Sequence, residues 1–157
     1  MKKYASLFLC LLITSAICGS LAVSWIQLDQ AQVFSSLRLP AGFPTERMFV
    51  AIWFFIFSLC GLSAWYILQS KISPKRKKNV LIILLILLGL LLGWSFLLFH
   101  DGNLIGTLAM GVAALLLTLL TMLMAWLVDH NAGYLLFPVL LWDLFSLYLN
   151  ISLVVLN

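Results

Sequence analysis

Five stretches of this chain lack the polar–apolar alternation that marks a water-facing helix or strand. In each, apolar positions run on for about 20 residues, the length needed to cross a hydrocarbon core. They cover roughly 4–26, 48–69, 80–99, 104–128 and 134–156, and the third holds the unbroken run "VLIILLILLGLLLGW". Such runs predict helices, because a lone chain in lipid must satisfy its own backbone. The expected fold is an all-α membrane protein: one domain over 1–157, built as a bundle of five transmembrane helices.

Most connections are short. "HDGN" (His100–Asn103) joins the third and fourth spans and "DHNAG" (Asp129–Gly133) the fourth and fifth, which makes these neighbours antiparallel. The exception is 27–47, which contains Pro40 and Pro44. A connection of that length in a small protein is often functional, for instance as a lid.

Composition supports the membrane reading. The 157 residues are 64% hydrophobic and 9% charged, against about 25% charged in a soluble domain. The net charge of +4 does not mark a nucleic-acid partner, because five of the nine bases lie in "KISPKRKK" (Lys71–Lys78) with no interleaved aromatics. That segment and Lys2 and Lys3 put seven bases on one side, facing only Arg38 and Arg47 on the other. The positive-inside rule then predicts a multi-pass protein with its N-terminus and loop 70–79 in the cytoplasm. Clustered bases of this kind also suit an anionic-lipid site. The start, "MKKYASLFLCLLITSAICGS", has the pattern of a cleaved signal peptide as an alternative, but the apolar run continues through "LAVSWI" and favours a retained span.

Familiar catalytic chemistry is missing. There is no phosphate loop, dinucleotide fingerprint or zinc motif of the HExxH type. His100 and His130 fall at opposite ends of the fourth span, roughly 40 Å apart at 1.5 Å per residue, and cannot share a metal. Cys10 and Cys18 lie about 12 Å apart along one helix, too far to bridge. No catalytic residue, metal site or required cofactor is expected. No lysine or arginine lies deep in a span, which leaves voltage sensing and charge-pair transport unsupported.

The polarity that does enter the membrane is concentrated in the last span, "FPVLLWDLFSLYLN". Trp142, Ser146, Leu149 and Asn150 share one helical face, and Asp143, Ser146 and Asn150 a slightly rotated one. A carboxylate at mid-span must meet a wet cavity, find donors or be protonated. Interhelical glue and a pocket wall both explain this face. The second span adds Phe49, Trp53 and Phe57 at i, i+4 and i+8, a stack of rings on one side. Trp25 and Trp126 suit an interfacial belt, whereas Trp53, Trp94 and Trp142 lie further in. Flat aromatic surfaces inside a bundle suit a large flat apolar ligand.

These residues resemble the TspO/translocator protein family, also called tryptophan-rich sensory proteins or peripheral-type benzodiazepine receptors. The resemblance spans almost the whole chain and is strongest in "AGYLLFPVLLWDLFSLYLN", where Ala132, Leu135, Leu136, Pro138, Trp142, Phe145, Leu149 and Asn150 match the family pattern. Leu156–Asn157 matches its closing pair, and Trp94, Ser95 and Phe99 match its third-span motif. In "PAGFPTERMFVAIW", Pro40, Pro44, Phe49 and Trp53 match. Thr45 and Ala51 stand where the family has proline, Arg47 where it has tryptophan, and Leu91 where it has asparagine. Val139 replaces a tyrosine, Ser146 an alanine and Asp143 an apolar residue. Ile151 takes the tyrosine position of the cholesterol motif, so that motif is not supported.

The resemblance implies a five-helix bundle, commonly a homodimer, whose pocket is closed by the first loop and binds porphyrin, heme or other flat hydrophobic ligands as a receptor, sensor or carrier. It assigns the lid to Pro40 and Pro44. Phe49, Trp53, Phe57, Trp94, Trp142 and Ser146 become pocket lining and Asn150 a helix-packing or pocket-floor group, while Asp143, which departs from the family, is either a new directing group or a lipid-shielded packing residue. Some members are associated with light-dependent porphyrin breakdown, for which Trp53 and Trp142 are the corresponding pair, although no acid–base set here supports an enzyme. An accessory protein with a degenerate pocket is the alternative, motivated by the altered positions.

Overall fold

The computed structural model describes residues 2–34 and 37–157, with side chains over 4–26 and 37–157. Among the described residues there are helices and no strands. Five segments are long and apolar enough to span a membrane: Tyr4–Ile26, Glu46–Gln69, Pro74–Phe99, Leu104–Val128 and His130–Leu156. The all-α expectation holds.

The first span has three parts, α1 (Lys2–Leu11), a π-helical segment (Leu12–Cys18) and α2 (Gly19–Phe34). The widened turn lies where the span meets α3 (Glu46–Gln69). Thr14 Oγ1 donates to Cys10 O at 2.9 Å, bonding back along its own helix. Across from it stands Gly61, where a Cβ would collide with Thr14 Oγ1 and lie 3.2 Å from Cys10 O. Only a glycine permits this approach, the small-residue packing that holds helices together when lipid is as apolar as their side chains. Ser58 Oγ, also on α3, lies 2.9 Å from Ser15 Oγ and 2.7 Å from Phe54 O.

Helix ends follow local chemistry. Thr45 caps α3, its Oγ1 accepting from Met48 N at 3.4 Å. Asn103 caps α5 (Leu104–Val128) through Gly106 N at 2.8 Å. Asp129 caps α6 (His130–Leu156), accepting from Asn131 N at 2.8 Å and Ala132 N at 3.4 Å. Two connections are therefore shorter than expected. "DHNAG" shrinks to Asp129, because its cap starts the helix at once. Most of "KISPKRKK" belongs to α4 (Pro74–Phe99), since Pro74 suits a first helical turn and Lys and Arg are good helix formers. The stretch 27–34, expected to begin the long loop, continues α2.

The spans close into a ring. The first packs on α3 and α4, α4 on α5, α5 on α6, and α6 on α3. The α5–α6 seam is lined from α5 by small side chains, with Thr107, Gly111, Ala114, Thr118, Thr121 and Ala125 all buried. Gly133 of α6 is equally close: a Cβ there would lie 2.9 Å from Trp126 Cα. Ser63 Oγ of α3 donates to Ala132 O at 2.9 Å and ties α3 to the start of α6.

Candidate functional site

The rings named from the sequence converge inside the bundle, toward the end that carries the long loop. Trp53 stacks on Phe57 with centroids 5.3 Å apart and planes 23° apart, and it lies 5.8 Å from Trp94. Trp94 meets Phe99 edge-on at 6.1 Å. Phe49 meets Phe99 at 5.2 Å and Trp142 at 6.0 Å, both T-shaped. Each such contact is worth about 1 kcal/mol beyond area burial. Phe49, Trp53, Phe57 and Trp94 are buried and Trp142 is half-buried.

The loop adds a further ring. Phe43 packs edge-on against Phe49 at 5.5 Å. It is held there by a tight turn in which Phe43 N donates to Pro40 O at 3.2 Å, with Gly42 at φ +79°. A positive φ at the third turn position is a glycine requirement. Pro40 and Pro44 are buried, but they shape the loop and do not line the interior void. Asn157 fastens the loop from the other side: its Oδ1 accepts from Arg38 N at 2.8 Å and its Nδ2 donates to Arg38 O at 3.1 Å.

At the heart of the cluster four helices leave a void of about 10 Å³, lined by Trp53, Leu91, Trp94, Gly111, Ala114, Trp142, Asp143 and Ser146. That is room for about one water molecule. A drug-sized ligand needs a pocket of roughly 300 Å³ or more, so a tetrapyrrole does not fit this conformation. Among the described residues, no group of three or more His, Cys, Asp or Glu could hold a metal ion.

Polar chemistry nevertheless crowds this spot. Asp143 is 4% exposed and accepts a 2.6 Å hydrogen bond from Thr118 Oγ1 of α5. Next to the void the indole nitrogens of Trp53 and Trp94 and both side-chain polar atoms of Asn150 are buried without a hydrogen-bond partner. The side chain of Leu91, which also lines the void, offers no acceptor. A Cβ on Gly111 would lie 2.9 Å from Asn150 Nδ2 and 3.5 Å from Trp94 Nε1, so this glycine gives the polar group its space. An unsatisfied buried polar group costs about 1–3 kcal/mol, and several in one place call for a partner such as a water, an ion or a ligand.

Of the residues singled out from sequence, Trp53, Trp94, Trp142, Asp143 and Ser146 line the void. Phe49 and Phe57 back it through ring contacts, and Asn150 adjoins it at Gly111. Gly111, Ala114 and Thr118 were not anticipated. Their signal was the spacing of small residues along α5, which the fold directs at α6.

A five-span helical membrane protein with a shut, aromatic-walled interior and a loop pinned across one end is the class that these features define. Comparison with protein families matches residues 7–156 to the TspO/MBR family, and the chain belongs to that family. Comparison with curated proteins gives no match.

Proposed function

We propose that this protein is a membrane receptor or carrier for a flat hydrophobic ligand of the tetrapyrrole type, with its site shut at rest. The observation that carries this reading is the group of partnerless polar atoms on Trp53, Trp94 and Asn150, set in an aromatic wall beneath a pinned loop. Packing alone gives no reason to keep them there. Family membership supports a sensor or transporter role. Binding requires the loop to lift and the rings of α3 and α6 to part, so closure is part of the mechanism: the ligand replaces ring–ring contacts with ring–ligand contacts and supplies partners to the orphaned groups.

One observation favours a second reading, an accessory membrane protein whose pocket has decayed: the void is only about 10 Å³. Titration of protoporphyrin and heme into purified protein separates the two. Saturable binding at micromolar concentration supports the receptor, and its absence for both ligands supports the accessory protein.

The same proposal places the N-terminus and residues 70–79 in the cytoplasm, by the excess of bases at that end. Labelling of a single cysteine introduced at Ser70 from one side of sealed vesicles tests it. A homodimer would use the outer face of α5, where Ala109 and Ala113 are exposed at small-xxx-small spacing.

A further inference from the structure

The basic end of α4 carries chemistry that the aromatic site does not use. Lys75, Arg76, Lys77 and Lys78 follow Pro74 with no acid in the first turn, and Ser73 makes no side-chain cap. Lys77 Nζ is engaged, donating to Leu68 O at 3.0 Å. The Arg76 guanidinium makes no hydrogen bond or ion pair among the described residues. Asp129 lies at the same end of the bundle, but its carboxylate is occupied in capping α6.

Beside Arg76 a groove of about 330 Å³ runs between α4 and α5, with Arg76 and Asn79 at its polar mouth and Val80, Met124, Leu127 and Val128 as its walls. A second groove of about 410 Å³ runs along the other side of α4, from Leu68 to Leu85, passing Lys77 and Lys78. The topology rule accounts for bases at this end but not for apolar channels descending from them. An occupant needs an anionic group for the mouth and a long apolar part for the walls.

We propose that the groove between α4 and α5 binds an anionic phospholipid, with the phosphate at Arg76 and Asn79 and an acyl chain against Met124 and Val128. Lys75 and Lys78 add to the field at the headgroup, and the second groove receives a neighbouring chain. Free phosphate matches the mouth but leaves the walls uncovered, so the lipid is the occupant.

The test uses full-length protein exchanged into mixed micelles holding equal amounts of phosphatidylglycerol and phosphatidylcholine, with retained lipid counted by native mass spectrometry. Phosphatidylglycerol should be retained in preference. Arg76→Gln should lower that preference about fivefold, the worth of one base near an anionic surface. Met124→Trp, which fills the groove and leaves the charge unchanged, should lower retention of phosphatidylglycerol as well. Lys2→Gln with Lys3→Gln serves as the charge control and should change little. Equal retention of the two lipids would overturn the proposal, as would a control effect as large as that of Arg76→Gln. Displacement of the lipid by millimolar inorganic phosphate, or indifference to Met124→Trp, would assign the mouth to a simple anion and overturn it too.

Discussion

Asp143 and Asn150 share one face of α6, two turns apart, and solve the same difficulty differently. The carboxyl of Asp143 has Thr118, at 2.6 Å; the amide of Asn150 has nothing. Removing Thr118's hydroxyl with Thr118→Val should therefore destabilise the protein by about 1 kcal/mol, the range of interhelical hydrogen bonds in membranes. In the double variant with Asp143→Leu the loss should be smaller than the sum of the single losses, because neither partner is then stranded. Thermal unfolding in detergent measures both. Asn150→Leu should behave in the opposite sense, raising stability by about 1 kcal/mol while weakening ligand binding, since it removes unsatisfied atoms that only a ligand would use. A variant that loses stability and keeps full binding would show that Asn150 is a packing residue.

At the scale of the helices, small residues decide which faces meet. Gly61 lets the π-helical segment of the first span touch α3, and its substitution by Val should cost about 2 kcal/mol through overpacking, read as a lowered unfolding temperature. How much of this was legible in the sequence depended on the kind of contrast each span offered. On α6 the polar residues stand out against leucine, and Asp143, Ser146 and Asn150 all turn inward as their i, i+3, i+7 spacing required. On α5 the inward face is Gly, Ala and Thr, small uncharged residues that are equally at home against lipid or a neighbouring helix, so Thr118 did not stand out as Asp143's partner. Thr107 and Thr121 disguise the face further by bonding to their own helix, at 2.7 and 2.6 Å. Helix starts are a different quantity from span starts. Apolar runs mark the length that suits lipid, whereas the caps at Thr45 and Asp129 and the proline at Pro74 start the helices, so α4 and α6 begin in polar sequence ahead of their apolar runs.

Across the whole molecule, the ring of helices, the loop and the C-terminal side chain act together to keep the interior shut. The aromatic composition of the site was legible, because Phe49, Trp53 and Phe57 share a face and Trp142 faces them. Its closure was not, because whether rings line a cavity or fill it depends on helix separations of a few ångströms that no spacing encodes. The loop is held by Asn157 at one end of its short described stretch and by the Phe43–Phe49 contact at the other. Asn157→Ala should loosen it, raising acrylamide quenching of tryptophan fluorescence and speeding ligand association with little change in unfolding temperature. Unchanged quenching would mean that the ring contact alone holds the loop.

If the shut aromatic cluster between α3 and α6 is the ligand site, a bound porphyrin must lie within quenching range of Trp53 and Trp142. The clearest experiment is to follow tryptophan fluorescence as protoporphyrin is added to the purified protein, beside Trp53→Phe, Trp142→Phe and Trp25→Phe, whose ring packs on Phe96 and does not line the void. The account predicts saturable quenching whose affinity falls in Trp53→Phe and Trp142→Phe and stays unchanged in Trp25→Phe. Quenching that rises linearly with ligand and ignores all three substitutions would mean partitioning into an apolar phase, and would contradict it.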